Sequence, residues 1–509
     1  MTIQDAYDYI IVGAGASGCV LAERLSTDPG RRVLLLEAGG SDSTPDIADA
    51  GGFVRLWGTD VDWLLTTEVQ PGMAGRNLVI NQGKVMGGST SINAMMYVRG
   101  NRLNYDMWNA LGADGWSYQD VLPVYKALED YTGRGDKEYH GVGGPIPVVD
   151  CPDPVMVSEE FMVGATQVGY GGPYWDTNGA HQENGAGLLQ FHIGRDGKRA
   201  SAVTAFLAPI KGRSNLSIET GAQATRVLFE GRKAVGVEYL QGGELKQAKA
   251  GREVIVSAGA LQSPKVLMLS GIGPAAQLGG FGIDVVSDLP GVGQNLQDHV
   301  QLPVVYKRKT DSPMTTLLTG NVLFLRTREG AEAAPPDMQL NFTPSIPAPL
   351  APILNLPFAA CIFLPILVQP FSIGEVKLRS ADPLAAPFID PKYLQQPADV
   401  QAFVKVIEVI RAIANTPAFS DLNEVEILPG AGADLEGFIR SQGSTLWHPA
   451  GTAKIGYDAM AVVDPQLRVY GVEGLRVADA SVMPTVTSGN TVAACFMIGA
   501  KAAEMILAA

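Results

Sequence analysis

Apolar and polar positions near the start of the chain alternate in a way that predicts a strand, a helix and a second strand. Residues 9–12 (Tyr-Ile-Ile-Val) form an apolar run of strand length, and residues 19–25 have the composition of a helix. A second apolar run, residues 32–36, ends at Glu37. Strand, helix and strand in this order indicate a β–α–β unit with parallel strands.

The turn between the first strand and the helix carries the dinucleotide fingerprint Gly-Ala-Gly-Ala-Ser-Gly at residues 13–18. In this motif Gly13 permits the tight turn, Gly15 lets a pyrophosphate approach the backbone, and Gly18 lets the helix pack on the strand. The helix N-terminus then faces the phosphates. Glu37 stands where an acidic residue binds ribose hydroxyls, which favours FAD or NAD over NADP.

A second glycine-rich segment, residues 83–93, reads Gly-Lys-Val-Met-Gly-Gly-Ser-Thr-Ser-Ile-Asn. Its glycines let the backbone come within hydrogen-bonding distance of a ligand that a Cβ would exclude. Successive amides in such a turn can also hold an anion. The segment alone is compatible with an ordinary surface loop, but together with the fingerprint it predicts a second contact with a cofactor.

Length and composition are those of a globular protein with two domains. The chain has 509 residues, more than one compact core holds, and 46% are hydrophobic and 18% charged. The net charge of -14 disfavours nucleic acids and anionic membrane surfaces as partners. The four cysteines lie far apart without metal-site spacing, so we expect reduced thiols and no metal. The first residues are polar and acidic, unlike a secretory leader, and we expect a cytoplasmic protein.

One segment is unusually apolar, since no charged residue occurs between Asp337 and Glu375. Seven prolines in residues 344–370 would repeatedly break a helix, and no uninterrupted apolar run is long enough to cross a bilayer. We therefore expect no membrane span. The favoured interpretation is a buried strand with a proline-rich loop over a substrate cavity, and the alternative is an apolar loop that seeks a surface.

Further blocks rich in Gly, Pro, His and Asn occur later in the chain. They comprise residues 96–100, 259–273, 288–299, 447–452, 479–484 and 488–490. Together with the two glycine-rich segments, these blocks and their order resemble the glucose-methanol-choline (GMC) flavin oxidoreductases from about residue 7 to residue 507. Residues 83–100 resemble the first signature of that family, and residues 259–273 resemble the second.

The resemblance implies an α/β fold, in which a Rossmann-like FAD-binding domain is interleaved with an α+β substrate domain built on an antiparallel sheet. Residues 220–227, a following hairpin and residues 253–259 are expected to return to the first sheet. The FAD-binding domain is then discontinuous, and the substrate domain occupies the intervening parts. The expected bounds are 1–150, 214–299 and 443–509 for the first domain, and 151–213 and 300–442 for the second.

Oxidation of an alcohol requires a hydride acceptor and a base that removes the hydroxyl proton. Flavin N5 can accept the hydride, and histidine is the usual base because its pKa lies near the working pH. His448 aligns with the catalytic base of the family. Asn490 aligns with a second active-site position, where members carry His or Asn and can bond the alcohol oxygen as negative charge develops. The other four histidines are expected to be structural, with His299 at the edge of the cofactor domain.

The resemblance also implies FAD as the cofactor, with contacts at matching positions. Glu37 is expected at the adenosine ribose, Ala224 at the adenine through its backbone, and Asp479 at the ribityl and pyrophosphate region. Some members attach FAD through a histidine at the position of Asn93, so the asparagine in this chain predicts dissociable FAD. The full set of expected contacts is Gly13, Gly15, Ala16, Ser17, Gly18, Glu37, Ala38, Val85, Gly88, Ser89, Asn93, Ala94, Met95, Ala224, Trp447, Asp479, Ala480 and Thr491.

Departures from the family pattern concern the substrate. Gln82 stands where an arginine is usual, and residues 369–374 read Gln-Pro-Phe-Ser-Ile-Gly where Arg-Pro-x-Ser-Arg-Gly is usual. Residues 491–494 (Thr-Val-Ala-Ala) lose a polar side chain beside the flavin. With the apolar segment 344–370, these changes predict an uncharged, largely apolar primary alcohol that is oxidised to an aldehyde. Choline is not expected.

Other functions on the same scaffold stay open. Some relatives are hydroxynitrile lyases, in which the flavin is structural, and others are light-driven fatty-acid decarboxylases. The apolar segment suits a fatty chain, whereas the loss of cationic positions disfavours a carboxylate. A flavin-binding protein with little turnover is the least favoured alternative, because His448 and Asn490 are intact. The sequence does not distinguish O₂ from a quinone-like electron acceptor, and it does not give the oligomeric state.

Overall fold

The computed structural model describes residues 3–310, 313–348 and 350–509, and two large sheets contain most of the strands. The strands are β1 (Ile3–Val12), β2 (Val33–Leu36), β3 (Leu65–Thr66), β4 (Val79–Ile80), β5 (Glu129–Tyr131), β6 (Ile146–Asp150), β7 (Ala186–Leu188), β8 (Gln190–Phe191), β9 (Leu216–Glu219), β10 (Ala222–Glu230), β11 (Lys233–Gln241), β12 (Glu244–Val256), β13 (Ile272–Gly273), β14 (Ser287–Asp288), β15 (Val300–Gln301), β16 (Val304–Arg308), β17 (Asn321–Leu325), β18 (Met338–Thr343), β19 (Ala360–Leu367), β20 (Glu375–Lys377), β21 (Phe388–Asp390), β22 (Asn423–Leu428), β23 (Ser444–Thr445) and β24 (Leu475–Val477).

The helices lie on the faces of these sheets and in the connections between strands. The α-helices are α1 (Ala16–Leu25), α2 (Pro45–Ala48), α3 (Phe53–Leu56), α4 (Arg102–Ala110), α5 (Tyr118–Leu128), α6 (Glu159–Gln167), α7 (Ser263–Leu269), α8 (Ala275–Gly280), α9 (Ala351–Leu354), α10 (Pro397–Ala414), α11 (Pro417–Ser420), α12 (Leu435–Gln442) and α13 (Val492–Leu507). Short 3₁₀ turns cover Pro71–Met73, Gly88–Ser91, Ala208–Ile210 and Ala480–Val482, and Val203–Leu207 forms a π-helical turn.

The first sheet contains the predicted β–α–β unit. Its strand order is β10-β11-β12-β1-β2-β9, and β24 pairs with the end of β12. The central strands β12, β1, β2 and β9 run parallel, whereas β10, β11 and β12 form an antiparallel meander. Strand β1 begins at Ile3 rather than at residue 9, because its first half pairs with residues 247–250 of the long strand β12.

The core of this first sheet is closed by two helices that lie far apart in sequence. Helix α13, near the C-terminus, packs against α1 of the fingerprint. The strand residues Ile10, Ile11 and Val254 are fully buried, as expected for a parallel sheet that is covered on both faces. The predicted return of the chain to this sheet is therefore confirmed for β9 to β12 and for β24.

The second sheet is antiparallel and has eight strands. Its order is β22-β16-β19-β18-β17-β7, and β15 joins both β19 and β23. Helix α10 covers the sheet with a stripe of buried residues at helical spacing, including Phe403, Val406 and Ile410. The predicted α/β class with a separate antiparallel sheet is confirmed. The predicted domain bounds stay a prediction. Strand β23 at 444–445 falls in the part predicted for the FAD-binding domain, but it pairs with β15 of this second sheet.

The apolar segment contributes the strand β19 and a proline-rich loop. The buried strand was predicted, but no described residue of the loop at 344–359 lines the large cavity described below. Instead, the side chains of Ile353 and Leu354 on α9 are exposed. Within the described ranges no helix is long and apolar enough to span a membrane. Three residues that bear on these predictions lie outside the described residues. They are Pro349 of the apolar segment, and Met1 and Thr2 of the polar N-terminal stretch that is unlike a secretory leader.

Candidate active site

A long cavity lies where the carboxyl ends of the first sheet meet the second sheet. The space between its walls, together with the open solvent at its mouth, is about 1940 Å³. Val12, Leu36 and Ser257, at or just beyond the ends of β1, β2 and β12, line one part of it, and Asn341 and Leu364 of the second sheet line another. Ligands of open parallel sheets bind at this edge.

The fingerprint turn forms one wall of this cavity. Gly13 has φ +102°, and a Cβ there would stand 2.5 Å from the carbonyl oxygen of Ser257. Gly15 lines the cavity, and a Cβ added to it would meet no atom within 4 Å, so its backbone faces open space. Gly88 of the second glycine-rich segment lies against Gly15, because its Cβ would be 2.8 Å from the Gly15 Cα. The two glycine-rich segments therefore form one continuous backbone surface.

All but two of the predicted cofactor contacts line this cavity. Gly18 does not, because it packs under the turn, where a Cβ would lie 1.9 Å from the carbonyl oxygen of Gly13. Val85 does not, because its side chain is fully buried in a small cluster that includes Ile47 and Ile92. For these two residues a direct contact stays a prediction, and the structure shows that both shape the turns.

Two buried carboxylates hold the turns around the cavity. The Glu37 carboxylate at the end of β2 accepts hydrogen bonds from the amides of Ala14, at 2.9 Å, and Gly39, at 2.8 Å. Burial raises the pKa of Glu37 to about 7. The Asp479 carboxylate accepts from the amide of Gly259 at 2.9 Å and from the amide of Ser481 at 2.8 Å, and burial raises its pKa as well. Each carboxylate thus joins distant segments at the cavity wall.

His448 and Asn490 also meet at the cavity, as the sequence predicts. The Nε2 atom of His448 lies 3.3 Å from Nδ2 of Asn490. Gln339 donates to Oδ1 of Asn490 at 3.5 Å, which orients the amide so that its Nδ2 faces the histidine. An amide nitrogen only donates, so Nε2 of His448 carries the lone pair and its proton is on Nδ1. Burial lowers the pKa of His448 to about 3, so the ring is neutral.

The structure adds His299 to this pair. Its Nδ1 lies 2.9 Å from Nδ1 of His448, and the two rings are nearly perpendicular, at 89°. Because Nδ1 of His448 carries the proton, Nδ1 of His299 is the acceptor. His299 is fully buried, and burial holds its pKa well below the ordinary value. The sequence predicts a structural His299 at the domain edge, and the fold places it directly against His448.

Asp298 joins the segments that carry the two histidines. One oxygen, Oδ1, accepts the backbone amides of His299 and His448, both at 2.8 Å. The other, Oδ2, accepts the hydroxyl of Thr445 at 2.6 Å and the hydroxyl of Tyr393. Burial raises the pKa of Asp298 to about 6. Sequence reasoning missed this residue, although it lies in the block at residues 288–299, because three of its four partners are 95 to 150 positions away.

Leu446 and Trp447, which precede His448 in the chain, line the cavity, and so does Leu364 of the second sheet, which packs in one cluster with Leu446. The charged residues of the described lining are Glu37, Lys265 and Asp479. Trp447 has φ +61°, an uncommon conformation for a side chain of this size, and its ring lies 4.7 Å from that of Trp57. Gln82, which replaces a usual arginine, donates to the carbonyl oxygen of Trp447 at 3.2 Å. This part of the cavity suits an uncharged molecule.

Comparison with known proteins agrees with these features. Family models described as GMC oxidoreductase match residues 7–301 and 370–499. The chain is 38% identical over 534 residues to the alcohol dehydrogenase (acceptor) of Pseudomonas putida, covering 98% of this chain and 96% of that protein. It is 40% identical to an oxygen-dependent choline dehydrogenase of Burkholderia ambifaria, covering 98% and 93%.

A solved structure shares the fold over almost the whole chain. The pyridoxine 4-oxidase of Mesorbium loti superimposes with a TM-score of 0.90 at 32% sequence identity, covering 98% of each chain. The family models match both the N-terminal and the C-terminal half of the chain, and the two relatives and this solved structure each cover 98% of it. The chain is a member of the GMC oxidoreductase family, whose enzymes bind FAD.

Proposed function

We propose that this enzyme oxidises an uncharged, apolar primary alcohol to an aldehyde, with His448 as the base and Asn490 as its hydrogen-bonding partner. FAD-dependent oxidation is a property of the family; the substrate class and the residue roles are the proposal. The observation that carries it is the neutral His448, whose Nε2 faces Asn490 at the cavity wall, where Leu364, Leu446 and Trp447 also line the cavity.

The residues around the cavity fit FAD. The open space at Gly15 and the continuous backbone of the two glycine-rich turns leave room for a pyrophosphate. Glu37 at one end would hold ribose hydroxyls, and Asp479 would lie near the ribityl chain. Bound FAD supplies a hydride acceptor. Asn93 offers no ring nitrogen for covalent attachment, which supports a dissociable cofactor.

The residues of the site divide the proton chemistry between them. In this proposal the hydroxyl of the alcohol gives its proton to Nε2 of His448, while Nδ2 of Asn490 donates to the oxygen as negative charge develops. Throughout the reaction Nδ1 of His448 keeps its proton and donates it in a hydrogen bond to Nδ1 of His299, 2.9 Å away. His299 therefore keeps the imidazole in the tautomer that the base requires, and Asp298 fixes the backbone of both rings.

The substrate class is supported by the lining of the cavity beside His448. Leucine and tryptophan side chains stabilise an alkyl or aryl group, and an ionic substrate would lose its hydration there without a carboxylate or a cation to replace it. The alcohol dehydrogenase (acceptor) of Pseudomonas putida, 38% identical to this chain, is consistent with such a substrate.

Choline is a second candidate. Trp57, Trp63 and Trp447 all line the cavity, and tryptophan faces bind quaternary ammonium groups. The relative from Burkholderia ambifaria is described as a choline dehydrogenase. Choline and an isosteric neutral alcohol, 3,3-dimethylbutan-1-ol, differ only in the cationic nitrogen, so a comparison of the two substrates separates the candidates.

The test is reduction of the bound flavin without oxygen. FAD-loaded protein is mixed anaerobically with 1-butanol, 1-octanol, benzyl alcohol, choline and 3,3-dimethylbutan-1-ol, and the visible absorbance of oxidised flavin is followed. We expect rapid bleaching by a neutral alcohol in the wild type and in His181→Gln, an exposed histidine outside the cavity, and slow bleaching in His448→Ala.

The outcomes are distinct. Bleaching by choline but not by its neutral analogue replaces the apolar alcohol with choline as substrate. If dithionite bleaches the flavin but no alcohol does, the proposal fails, and cyanohydrins in the dark and fatty acids under blue light are tested next. The rate at which the colour returns in air distinguishes O₂ from a quinone-like acceptor.

A further inference from the structure

Arg199 is a buried cation behind the wall of the cofactor cavity. Its side chain is 3% exposed. Its Nε donates to the carbonyl oxygen of Ile47 at 2.7 Å, and its Nη1 donates to the carbonyl oxygen of Asn93 at 2.6 Å and to Oδ1 of Asn93 at 2.7 Å. A longer bond from Nη1 reaches the carbonyl oxygen of Thr90 at 3.2 Å. All these acceptors are uncharged.

The guanidinium of Arg199 forms no salt bridge in the described part of the chain, although the carboxylate of Asp49, which pairs with Arg55 at 2.6 Å, acts on it electrostatically from a distance. Its Nη2 is buried and makes no hydrogen bond. Removing a cation from water without an anion is costly, and carbonyl dipoles offset only part of that cost. Consistent with this, burial lowers the pKa of Arg199 to about 9, which still leaves the group charged at neutral pH.

The residue that Arg199 holds, Asn93, lines the cofactor cavity. The Oδ1 atom of Asn93 also accepts the amide of Met95 at 3.0 Å, and its Nδ2 lies 3.2 Å from Nε2 of His192. The Nδ1 of His192 bonds to the carbonyl oxygen of Ala200 at 2.7 Å, so its Nε2 is an acceptor for Asn93. The Asn93 side chain is thus held from three directions, with the guanidinium one hydrogen bond from the cavity wall.

We propose that Arg199 is a positioning residue for FAD and that its buried charge stabilises the two-electron-reduced cofactor. The inference rests on the proposed function. In that reaction the alcohol transfers a hydride to the flavin and its hydroxyl proton to His448, so the product aldehyde is neutral, the flavin gains one negative charge and His448 gains one positive charge. The charge on the flavin appears in a buried site, where a nearby cation acts more strongly than it does in water.

A neutral donor at position 199 would satisfy the same carbonyl oxygens without the cost of burying a charge. Among the described residues the charge is influenced by Asp49, whose carboxylate is itself paired with Arg55. Reduced flavin is an anion that is present for only part of the turnover cycle, and Asn93, which Arg199 bonds, lines the cavity that would hold it. Lys198, the next residue, is exposed and screened by solvent, so it provides a matched control.

The experiment measures the reduction potential of the bound flavin in the absence of any alcohol. FAD-loaded wild type, Arg199→Gln, Arg199→Lys and Lys198→Gln are titrated anaerobically with dithionite against a reference dye. We expect Arg199→Gln to shift the equilibrium at least tenfold toward oxidised flavin, which is about 30 mV lower for a two-electron couple. Arg199→Lys and Lys198→Gln should stay within twofold of the wild type.

Equal shifts in Arg199→Gln and Arg199→Lys would show that the hydrogen bonds matter rather than the charge, and an unshifted Arg199→Gln would refute the inference outright. If Arg199→Gln does not retain FAD, the reduction potential of the wild type is compared with that of free FAD. A wild-type potential at or below that of free FAD would refute the inference, because the protein would then not stabilise the reduced cofactor. Since the titration uses no substrate, failure of alcohol oxidation leaves this result readable, and the two proposals fail independently.

Discussion

The carboxylate of Asp298 is expected to determine both the stability of the active site and the position of its base. Its two oxygens accept four buried hydrogen bonds from three separate parts of the chain, two from the backbone amides of His299 and His448 and two from the hydroxyls of Thr445 and Tyr393. Replacing Asp298 with alanine removes every acceptor and leaves the four donors inside the protein.

The structure gives the magnitude of this effect. A buried donor without a partner costs about 1–3 kcal/mol, so four of them cost at least about 4 kcal/mol. Two effects offset part of this loss of stability. The two hydroxyls can rotate toward other acceptors, and the variant no longer buries a carboxylate, whose pKa burial raises to about 6. We expect a net loss of ~3 kcal/mol for Asp298→Ala, a large part of the ~5–15 kcal/mol that stabilises a typical domain.

Asp298→Asn is the matched variant, because its remaining oxygen still accepts the amides of His299 and His448. Thermal unfolding of the FAD-saturated proteins should place the midpoint of Asp298→Ala roughly 2–3 °C below that of Asp298→Asn. The rate of flavin reduction by alcohol should fall about tenfold or more in the alanine variant only, since small displacements of a base are costly. Equal stability and equal rates in the two variants would refute the reasoning.

The remaining predictions concern the base, its pH dependence, a second histidine and the cofactor. His448→Ala should slow flavin reduction by ~10²–10⁴-fold with FAD still bound, measured by stopped-flow absorbance. Because burial lowers the pKa of His448, that rate should stay constant from about pH 5 to 8, and a fall centred on the ordinary histidine pKa would contradict this. Burial disfavours charged His140, but its hydrogen bonds to Asp176 and Glu129 prevail and raise its pKa. Its contribution to stability is therefore full below the unfolded pKa and is lost as pH rises through the folded pKa, so urea unfolding of the wild type and of His140→Asn should differ most in acid and converge in alkali. Acid precipitation should release all the FAD into the supernatant, and flavin left in the pellet would show a covalent bond.

Local features of the fold were predictable from the sequence because neighbouring residues produce them. The strand at 9–12, the glycine turn and the helix after it depend on apolar runs and on backbone freedom at Gly13, and the structure places all three as expected. The direct contact predicted for Gly18 stays a prediction, and the structure places this glycine under the turn, where it serves the packing of helix on strand.

Features that depend on distant segments were not predictable in this way. Strand β1 is longer than its apolar run because β12 offers a partner for its polar half. His299 lies 149 positions from His448, and only the folded loops around Asp298 bring the two rings together. The loop at 344–359 has the composition of a cavity lining, yet its apolar side chains at Ile353 and Leu354 face outward.

The depressed pKa of His448 has to be reconciled with its proposed role as a base. A base works best when its pKa lies near the working pH, and burial moves His448 well below that range. In the proposed reaction a negative charge develops on the alcohol oxygen and then on the cofactor, and an opposite charge nearby favours the imidazolium form. The alcohol is neutral at the start, and its proton and hydride leave it as a pair of opposite charges. In that proposal the neutral His299 beside His448 and the buried cation at Arg199, which bonds Asn93 of the cavity wall, stabilise the two members of the pair separately.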